Sequence, residues 1–265
     1  MCSDRLSTAI AADGASWLTE WPTRIAPMAD LICFPGAGAG ASAYRTWASR
    51  LPPFTAVLAC QLPGREKRID EPPASSLASA ADGVVAAYLA IRPVSRPVVL
   101  FGHSMGGTLA FEVARRLVVA GRAASALVLS ASAPPTVVRK NAVADDGALR
   151  DLLIGYDPNN RKITGNEELF TALAPVLSSD IAMLRRHVIP PGTPLLDVSV
   201  HLMNGRADAI VPGVSVARWA EYFLGAITCH ELEGGHFFPF RESQDRVLAL
   251  IAGILREMVA RRKLA

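Results

Sequence analysis

The stretch that decides the fold is PVVLFGHSMG, residues 97–106. The apolar, β-branched run at 97–101 is typical of a buried strand, and the sequence after the motif has the apolar spacing of a helix. Gly102 and Gly106 flank Ser104 in a G-x-S-x-G pattern, at positions where side chains would clash with that strand or helix. The pattern alone is common. Its place between a strand and an amphipathic helix predicts a sharp turn that lifts the Ser104 hydroxyl out of the chain.

Strand-like and helix-like segments alternate on both sides of this turn. Short apolar runs that predict strands lie at 31–34, 56–60, 126–130, 198–203 and 227–232. Helical patterns lie at 42–51, 77–91 and 216–223, after Ser104, and from Ser243 onward. This alternation predicts a mostly parallel sheet covered by helices on both faces. With the serine turn, it predicts an α/β-hydrolase fold.

The alternation stops between residues 134 and 194, where the apolar spacing is helical and no strand pattern is evident. An insertion of this length is usually functional. We therefore expect an extended lead-in at 1–28, a core formed by 29–133 and 195–265, and a helical insertion at 134–194.

Composition narrows the class of protein. The chain of 265 residues is 51% hydrophobic and 19% charged, with a net charge of +3, and it lacks the dense basic stripe of a nucleic-acid-binding protein. No apolar run reaches the roughly 18 residues of a membrane helix, and the N-terminus lacks a signal-peptide pattern. The four cysteines, Cys2, Cys33, Cys60 and Cys229, form no C-x-x-C pair. We expect reduced thiols and a cytoplasmic protein.

A serine hydroxyl needs a neighbouring base, and the base needs a third group that orients it. In this fold the order along the chain is Ser, then Asp or Glu, then His. His236 is favoured as the base because it follows Gly234-Gly235 just past a predicted strand. The alternatives are His201 and His230, which fall inside strand patterns, and His187, which falls in the helical insertion.

Asp208 is favoured as the acid because it lies in a loop just past a strand end, where ligand-facing residues of open α/β sheets are found. Asp197 precedes that strand, and Asp180 belongs to the helical insertion. Glu233 is the alternative acid. A purely structural role for Asp208, in shaping the turn, also stays open.

The turn after the first strand supplies a second oxyanion donor in this fold. The backbone N–H of Ala37 is expected to act with that of Met105, and each such donor contributes roughly 3–4 kcal/mol to a tetrahedral intermediate. The same turn also fits the dinucleotide fingerprint G-x-G-x-x-A, from Gly36 to Ala41. The second strand ends at residues 60–62 without the acidic residue that a dinucleotide site needs, which argues against NAD or FAD.

Five motifs together carry a family resemblance. They are Phe34-Pro35-Gly36-Ala37-Gly38, Pro63-Gly64-Arg65-Glu66-Lys67-Arg68, Gly102-His103-Ser104-Met105-Gly106, Gly205-x-x-Asp208 and Gly234-Gly235-His236-Phe237-Phe238. The chain resembles the type II thioesterases, stand-alone α/β-hydrolases that accompany polyketide synthases and non-ribosomal peptide synthetases. The resemblance covers the chain from Leu31 to about Ser243.

The resemblance implies a nucleophile at Ser104, an orienting acid at Asp208, a base at His236, and oxyanion donors at Ala37 and Met105. It implies that the helical insertion is a lid over an acyl pocket. The expected reaction is hydrolysis of acyl thioesters on the phosphopantetheine arm of an acyl or peptidyl carrier protein, in an editing or product-releasing role. No metal or organic cofactor is expected, and we expect a monomer.

Two other functions stay open at this stage. A carboxylesterase or lipase with the same three side chains would act on oxygen esters, and a hydrolase-fold binding protein would have no activity. Cations in the insertion could meet an acidic carrier protein: Arg139, Lys140, Arg161, Lys162, Arg185 and Arg186. The next candidates for that contact are Arg65, Lys67 and Arg68.

Overall fold

A seven-stranded sheet organises the computed structural model, which describes residues 17–23, 25–92, 96–138 and 145–264. The strands are β1 (Leu18–Glu20), β2 (Ala29–Phe34), β3 (Thr55–Cys60), β4 (Val98–His103), β5 (Ala126–Ser130), β6 (Ser199–Gly205) and β7 (Ile227–Leu232). Their order in the sheet is β1-β3-β2-β4-β5-β6-β7. β1 pairs antiparallel with β3, and the other neighbours are parallel. The carboxyl ends of the six parallel strands therefore lie along one edge.

Helices cover both faces of this sheet. They are α1 (Leu77–Ile91), α2 (Met105–Val119), α3 (Asp146–Tyr156), α4 (Arg161–Thr164), α5 (Glu167–Arg186), α6 (Gly213–Ala217) and α7 (Gln244–Leu264). Short 3-10 helices lie at Ala41–Tyr44, Glu66–Arg68, Pro158–Asn160, Arg218–Tyr222 and Phe238–Phe240. The parallel sheet predicted from the alternating sequence pattern is confirmed.

Side chains of the central strands alternate between two apolar cores. In β4, Leu100 packs with α1 and α2 on one face, whereas Phe101 packs with α7 on the other. All six residues of β4 are buried. This burial on both faces explains why the strand reads as an unbroken apolar run.

Two predicted helices differ from the structure in their geometry and bounds. The helix expected at 42–51 is the short 3-10 helix Ala41–Tyr44 followed by turns. Tyr44 and Trp47 are fully buried and lie edge-on to each other, with ring centroids 5.0 Å apart. Both rings pack into the apolar core that also includes side chains of α7. The helix expected at 216–223 is divided between α6 and the 3-10 helix Arg218–Tyr222.

Part of the expected extended lead-in is a strand. Residues 1–16 lie outside the described residues, but Leu18–Glu20 forms the edge strand β1 against β3. Three residues are too few for an alternating pattern to show in the sequence.

Between β5 and β6, the described residues 134–138 and 145–194 contain α3, α4 and α5 and no strand. They form a third apolar cluster that includes Leu153, Phe170 and Leu177. Ala37, from the turn after β2, packs against this cluster. The helical segment, by which we mean residues 145–187, thus lies against the edge where the strands end. Its role as a lid stays a prediction.

Candidate active site

Ser104 occupies a strained turn between β4 and α2. Its backbone has φ 55° and ψ −122°, in the region that L residues rarely adopt. Such a conformation costs on the order of 1–3 kcal/mol and persists where the surrounding structure enforces it. Close packing supplies that enforcement, because a Cβ added at Gly106 would lie 2.1 Å from the Phe34 carbonyl oxygen. The turn holds the Ser104 hydroxyl at the carboxyl edge of the sheet.

His236 bridges Ser104 and Asp208. Its Nε2 lies 3.0 Å from Ser104 Oγ, and its Nδ1 lies 2.8 Å from Asp208 Oδ2. With Asp208 as the acceptor, Nδ1 carries the ring proton and Nε2 can accept the proton of the serine hydroxyl. The histidine and the aspartate are both buried. The structure therefore brings together the three side chains that sequence reasoning favoured, in the geometry that general-base activation of a serine requires.

Asp208 is itself held in place. Its Oδ1 accepts hydrogen bonds from the N–H groups of Ile210 and Val211, at 3.0 and 2.9 Å. Those bonds leave Oδ2 directed at His236. Asp208 follows β6 and His236 follows β7, so neighbouring strand ends set their separation.

The alternative site residues lie elsewhere. Glu233 is exposed and pairs with Arg206. His201 and His230 contact each other, with Nδ1 and Nε2 3.1 Å apart. His187 lies 3.2 Å from Glu112, and Asp197 is exposed. Within the described contacts, Asp208 is the carboxylate that meets His236.

The turn after β2 lies beside the serine. A Cβ added at Gly36 would be 3.4 Å from the Ser104 Cβ. The Ala39 N–H donates to the Gly36 carbonyl at 3.1 Å, which closes a tight turn around Ala37. Met105, on the opposite side, begins α2, where the helix dipole favours negative charge. Both residues predicted to supply oxyanion donors thus border Ser104, and their role stays a prediction.

A cavity of about 270 Å³ opens beside Ser104 and His236. Its walls come from the turn after β2, the helical segment and the loop after β7, and they include Ala37, Leu153, Tyr156, Leu177, Phe237 and Phe240. The aromatic ring of Tyr156 lies against that of His236, with centroids 4.8 Å apart and the ring planes tilted by 36°. Burial raises the pKa of Tyr156, so its hydroxyl stays protonated at neutral pH. Sequence reasoning missed Tyr156, because no motif marks it.

His103 is the buried neighbour of the serine. Its Nδ1 lies 3.3 Å from Ser130 Oγ. Burial, followed by the nearby His236, lowers the pKa of His103 well below its usual value. His103 is therefore neutral at neutral pH and does not oppose a positive charge on His236.

The cations predicted to meet a partner fall into different environments. Arg139 and Lys140 lie outside the described residues. The exposed ones in the helical segment are Arg161, Lys162 and Arg186, and Arg185 is half-buried.

Two of the further candidates are excluded by burial. Arg65 pairs with Asp180 and Arg68 with Glu71, and both arginines are buried. The expectation that they could offer a surface to a partner was wrong. The guanidinium group of Arg65 pairs with a buried carboxylate and that of Arg68 with the exposed carboxylate of Glu71, and only Lys67 of that trio is exposed.

Within the described ranges, no group of three or more His, Cys, Asp or Glu side chains is placed to hold a metal ion. None of the helices in the described part of the chain is long and apolar enough to cross a membrane.

Comparison with known proteins supports one family. Residues 29–255 match the thioesterase domain family. A probable cadicidin biosynthesis thioesterase from Streptomyces griseus is 31% identical over 84% of this chain, and the match spans 62% of that relative's length. The structure of BorB, a type II thioesterase from the borrelidin biosynthetic cluster, is similar with a TM-score of 0.81 and 34% identity, covering 91% of this chain and 98% of BorB. RedJ, a thioesterase of the prodiginine pathway in Streptomyces coelicolor, gives a TM-score of 0.81 and 33% identity over 89% of this chain and 95% of its own. This chain therefore belongs to the thioesterase family, has the predicted α/β-hydrolase fold, and groups with the type II thioesterases.

Proposed function

We propose that this protein hydrolyses acyl thioesters held on the phosphopantetheine arm of a carrier protein, through an acyl-enzyme on Ser104. The observation that carries the proposal is the chain of contacts from Ser104 Oγ through His236 to Asp208, at 3.0 and 2.8 Å, beside an apolar cavity in a member of the thioesterase family. Ser104 is the nucleophile, His236 the base and Asp208 the group that orients the base.

Acylation begins when Ser104 Oγ attacks the thioester carbonyl carbon while His236 Nε2 takes the hydroxyl proton. The carbonyl oxygen becomes an oxyanion, which accepts hydrogen bonds from the N–H groups of Ala37 and Met105. The intermediate then collapses, the carbon–sulfur bond breaks, and the pantetheine sulfur leaves with the proton from His236. The products of this half are a free thiol and an ester on Ser104.

Deacylation repeats the same steps with water. His236 takes a proton from the water, whose oxygen attacks the ester carbonyl, and a second oxyanion forms in the same place. The carbon–oxygen bond to Ser104 breaks, the serine recovers its proton from His236, and the free acid departs. Asp208 stabilises the imidazolium in both halves without itself taking the proton.

The carrier-bound substrate is proposed from the relatives. BorB and RedJ come from biosynthetic pathways for borrelidin and prodiginine, and both match this chain over nearly their whole length. The exposed cations Arg161 and Lys162 lie side by side on the helical segment, which also lines the cavity. Acidic groups of a carrier protein in a polyketide or non-ribosomal peptide pathway could pair with these two cations.

The test compares three substrates with one catalyst. The protein should release acid from an acyl carrier protein and from the matching acyl-pantetheine thioester, and kcat/KM should be lower for a p-nitrophenyl ester of the same acyl group. Ser104→Ala should abolish all three activities. Preference for the oxygen ester would favour a carboxylesterase. Absence of turnover, together with no labelling by a fluorophosphonate, would identify a binding protein.

Cytoplasmic location and a monomeric state complete the proposal. The buried free thiols of Cys33 and Cys60 suit a reducing compartment. Size-exclusion chromatography with light scattering tests the monomer.

A further inference from the structure

Arg65 and Asp180 form a buried ion pair between two parts of the chain that are far apart in sequence. Arg65 Nη1 donates to Asp180 Oδ2 at 2.5 Å and Nη2 donates to Oδ1 at 2.8 Å, which is a bidentate contact. The side chains are 6% and 1% exposed. Arg65 follows β3, whereas Asp180 lies on α5. Burying two charges is costly, so this pair calls for an explanation beyond stability.

The same carboxylate also holds the turn beside Ser104. The Gly38 N–H donates to Asp180 Oδ2 at 2.8 Å, and Arg65 Nη1 donates to the Ala39 carbonyl at 3.2 Å. The two contacts fix the two residues that directly follow Ala37. Gly38 itself has φ +75°, a conformation that glycine adopts without strain.

The motif Pro63-Gly64-Arg65-Glu66, which the proposed reaction does not use, directs a second side chain to the same turn. Glu66 has φ 50°, in the left-handed region. Its carboxylate accepts from the Ser42 N–H at 3.2 Å and from the Ser42 hydroxyl. A Cβ added at Gly40 would fall 2.3 Å from the Glu66 carboxyl carbon. Adjacent charged residues thus hold the chain at Ala39, where the turn ends, and again at Ser42, three residues further on.

Helix α5 packs on the turn as well as bonding to it. A Cβ on Gly38 would lie 3.2 Å from Leu177 Cδ1. Leu177 is three residues before Asp180, so both side chains lie on one face of the helix. Leu177 also lines the cavity. A single helix face therefore supplies an apolar wall to the cavity and a carboxylate to the turn.

We propose that Asp180, with Arg65, is a positioning residue that holds the Ala37 N–H in place for the oxyanion. This inference rests on the proposed function, since it assigns a role within that reaction. Asp180 touches neither the substrate nor the reacting atoms. It acts through the Gly38 and Ala39 backbone, and it makes the oxyanion turn depend on the position of α5.

Asp180→Asn is the informative variant. Oδ2 accepts from Gly38 and from Arg65, and Oδ1 accepts from Arg65. In either orientation, an amide would direct its NH₂ group at an N–H donor. Misplacing a reacting group by about 1 Å costs about 100-fold in rate, so we expect kcat to fall about 10- to 100-fold. KM for the acyl-pantetheine thioester should change by less than about threefold, because the interaction is made mainly in the transition state.

Asp30→Asn is the matched control. Asp30 is also fully buried and accepts from Arg92 at 3.2 Å and Arg96 at 2.8 Å. It lies near the amino end of β2, whereas the turn of Ala37 follows the carboxyl end. We expect this control to lower the melting temperature while kcat stays within about threefold of wild type when measured below that temperature.

A binding comparison separates positioning from a general structural role. An alkyl trifluoromethyl ketone forms a hemiketal oxyanion with Ser104, whereas the thioether of the same chain binds without one. In Asp180→Asn, affinity for the ketone should fall about 10- to 100-fold in step with kcat, and thioether affinity should hold. Equal losses for both ligands, or no loss for the ketone, would overturn the proposal.

Arg65→Lys provides a second variant that keeps the charge but loses the bidentate contact. We expect a smaller loss with the same split between ketone and thioether, and none for the control Arg92→Lys. An unchanged ketone affinity in a folded Arg65→Lys protein would count against the proposal. Wild-type protein distinguishes failure of the proposed function from failure of the positioning role alone. If wild type neither hydrolyses the thioester nor forms the hemiketal, the proposed function fails. If wild type does both and the variants match it, only the positioning role fails.

Discussion

The strand-end loops and the helical segment contribute to the site in different ways. Ser104, Asp208 and His236 sit just past the ends of their strands, and local contacts fix them, as when Asp208 accepts from Ile210 and Val211. The helical segment reaches the site from residues remote in sequence, such as Tyr156 on His236 and Asp180 on Gly38. In the proposed reaction the loops supply the reacting groups, whereas the helical segment lines the cavity and bonds to the turn after β2.

The largest effect is expected from removing the proposed nucleophile in the turn after β4. Ser104→Ala should lower turnover by about a million-fold, because the three residues act as a unit. Ser49→Ala, at an exposed serine, should match wild type. Steady-state hydrolysis of an acyl-pantetheine thioester measures both. Retention of near-normal rates in Ser104→Ala would contradict the assigned nucleophile.

Asp208→Asn should fold normally and lose about 10⁴-fold in kcat, because the amide favours the wrong tautomer of His236. Glu233→Gln is the matched control, since Glu233 is exposed and bonded to Arg206. Rates and melting temperatures are measured on both proteins. A damaging Glu233→Gln beside a harmless Asp208→Asn would reverse the assignment of the acid.

A third change tests whether the helical segment contacts the carrier protein. Reversing the exposed charges Arg161 and Lys162 to Glu should lower kcat/KM for a carrier-bound acyl group by about tenfold at low salt, and the difference should shrink as salt is added. Turnover of the small pantetheine thioester should hold, because that substrate lacks the carrier surface.

The control for that change is the reversal of Arg261 and Arg262. They are exposed near the end of α7 and are not among the residues that line the cavity. Equal losses on carrier-bound and small substrates would indicate a defect in folding or in the cavity. Equal losses for the two pairs would indicate a non-specific charge effect.

The smallest effect is expected at a contact between the helical segment and helix α2. Glu112, on α2, lies 3.2 Å from His187, which follows α5. Burial alone would raise the pKa of Glu112, but hydrogen bonds from His187 and Arg116 outweigh it and lower the pKa from 4.5 to about 2. A lowered pKa gives stability that is complete above the unfolded-state value and is lost as pH falls.

The stability from Glu112 should therefore fade between pH 4.5 and about 2. Thermal melts at falling pH should show a steeper loss of Tm for wild type than for Glu112→Gln, with a difference on the order of a few degrees. Parallel curves would show that this contact does not join the helical segment to the core.

Sequence reasoning reached the strand-end loops because their signals are local. G-x-S-x-G and Gly-Gly-His each place a functional side chain within two residues of the glycines that shape its turn. The order Ser, Asp, His then followed from the fold. Helix α1 at Leu77–Ile91 and strand β5 at Ala126–Ser130 also begin and end where the apolar patterns predict.

The features that the sequence did not predict depend on contacts between residues far apart in the chain, which no local pattern shows. In the sequence, Asp180 is indistinguishable from a solvent-exposed aspartate on an amphipathic helix. Its partner Arg65 is 115 positions away along the chain. Tyr156 reaches His236 only after α3 packs over the strand ends. The 3-10 turn at Ala41–Tyr44 was missed because buried Tyr44 and Trp47 override helix propensity there.

The proposed mechanism requires that Ser104 carry the acyl group, which rapid-quench mass spectrometry of the intact protein can detect. Mixed with excess acyl-pantetheine thioester, the Asp208→Asn variant should show a mass increase of one acyl group, located on the peptide that contains Ser104. Free thiol should appear together with that adduct and before the free acid. Release of acid without any acylated Ser104 peptide in wild type or variant, or the same adduct on Ser104→Ala, would contradict the account.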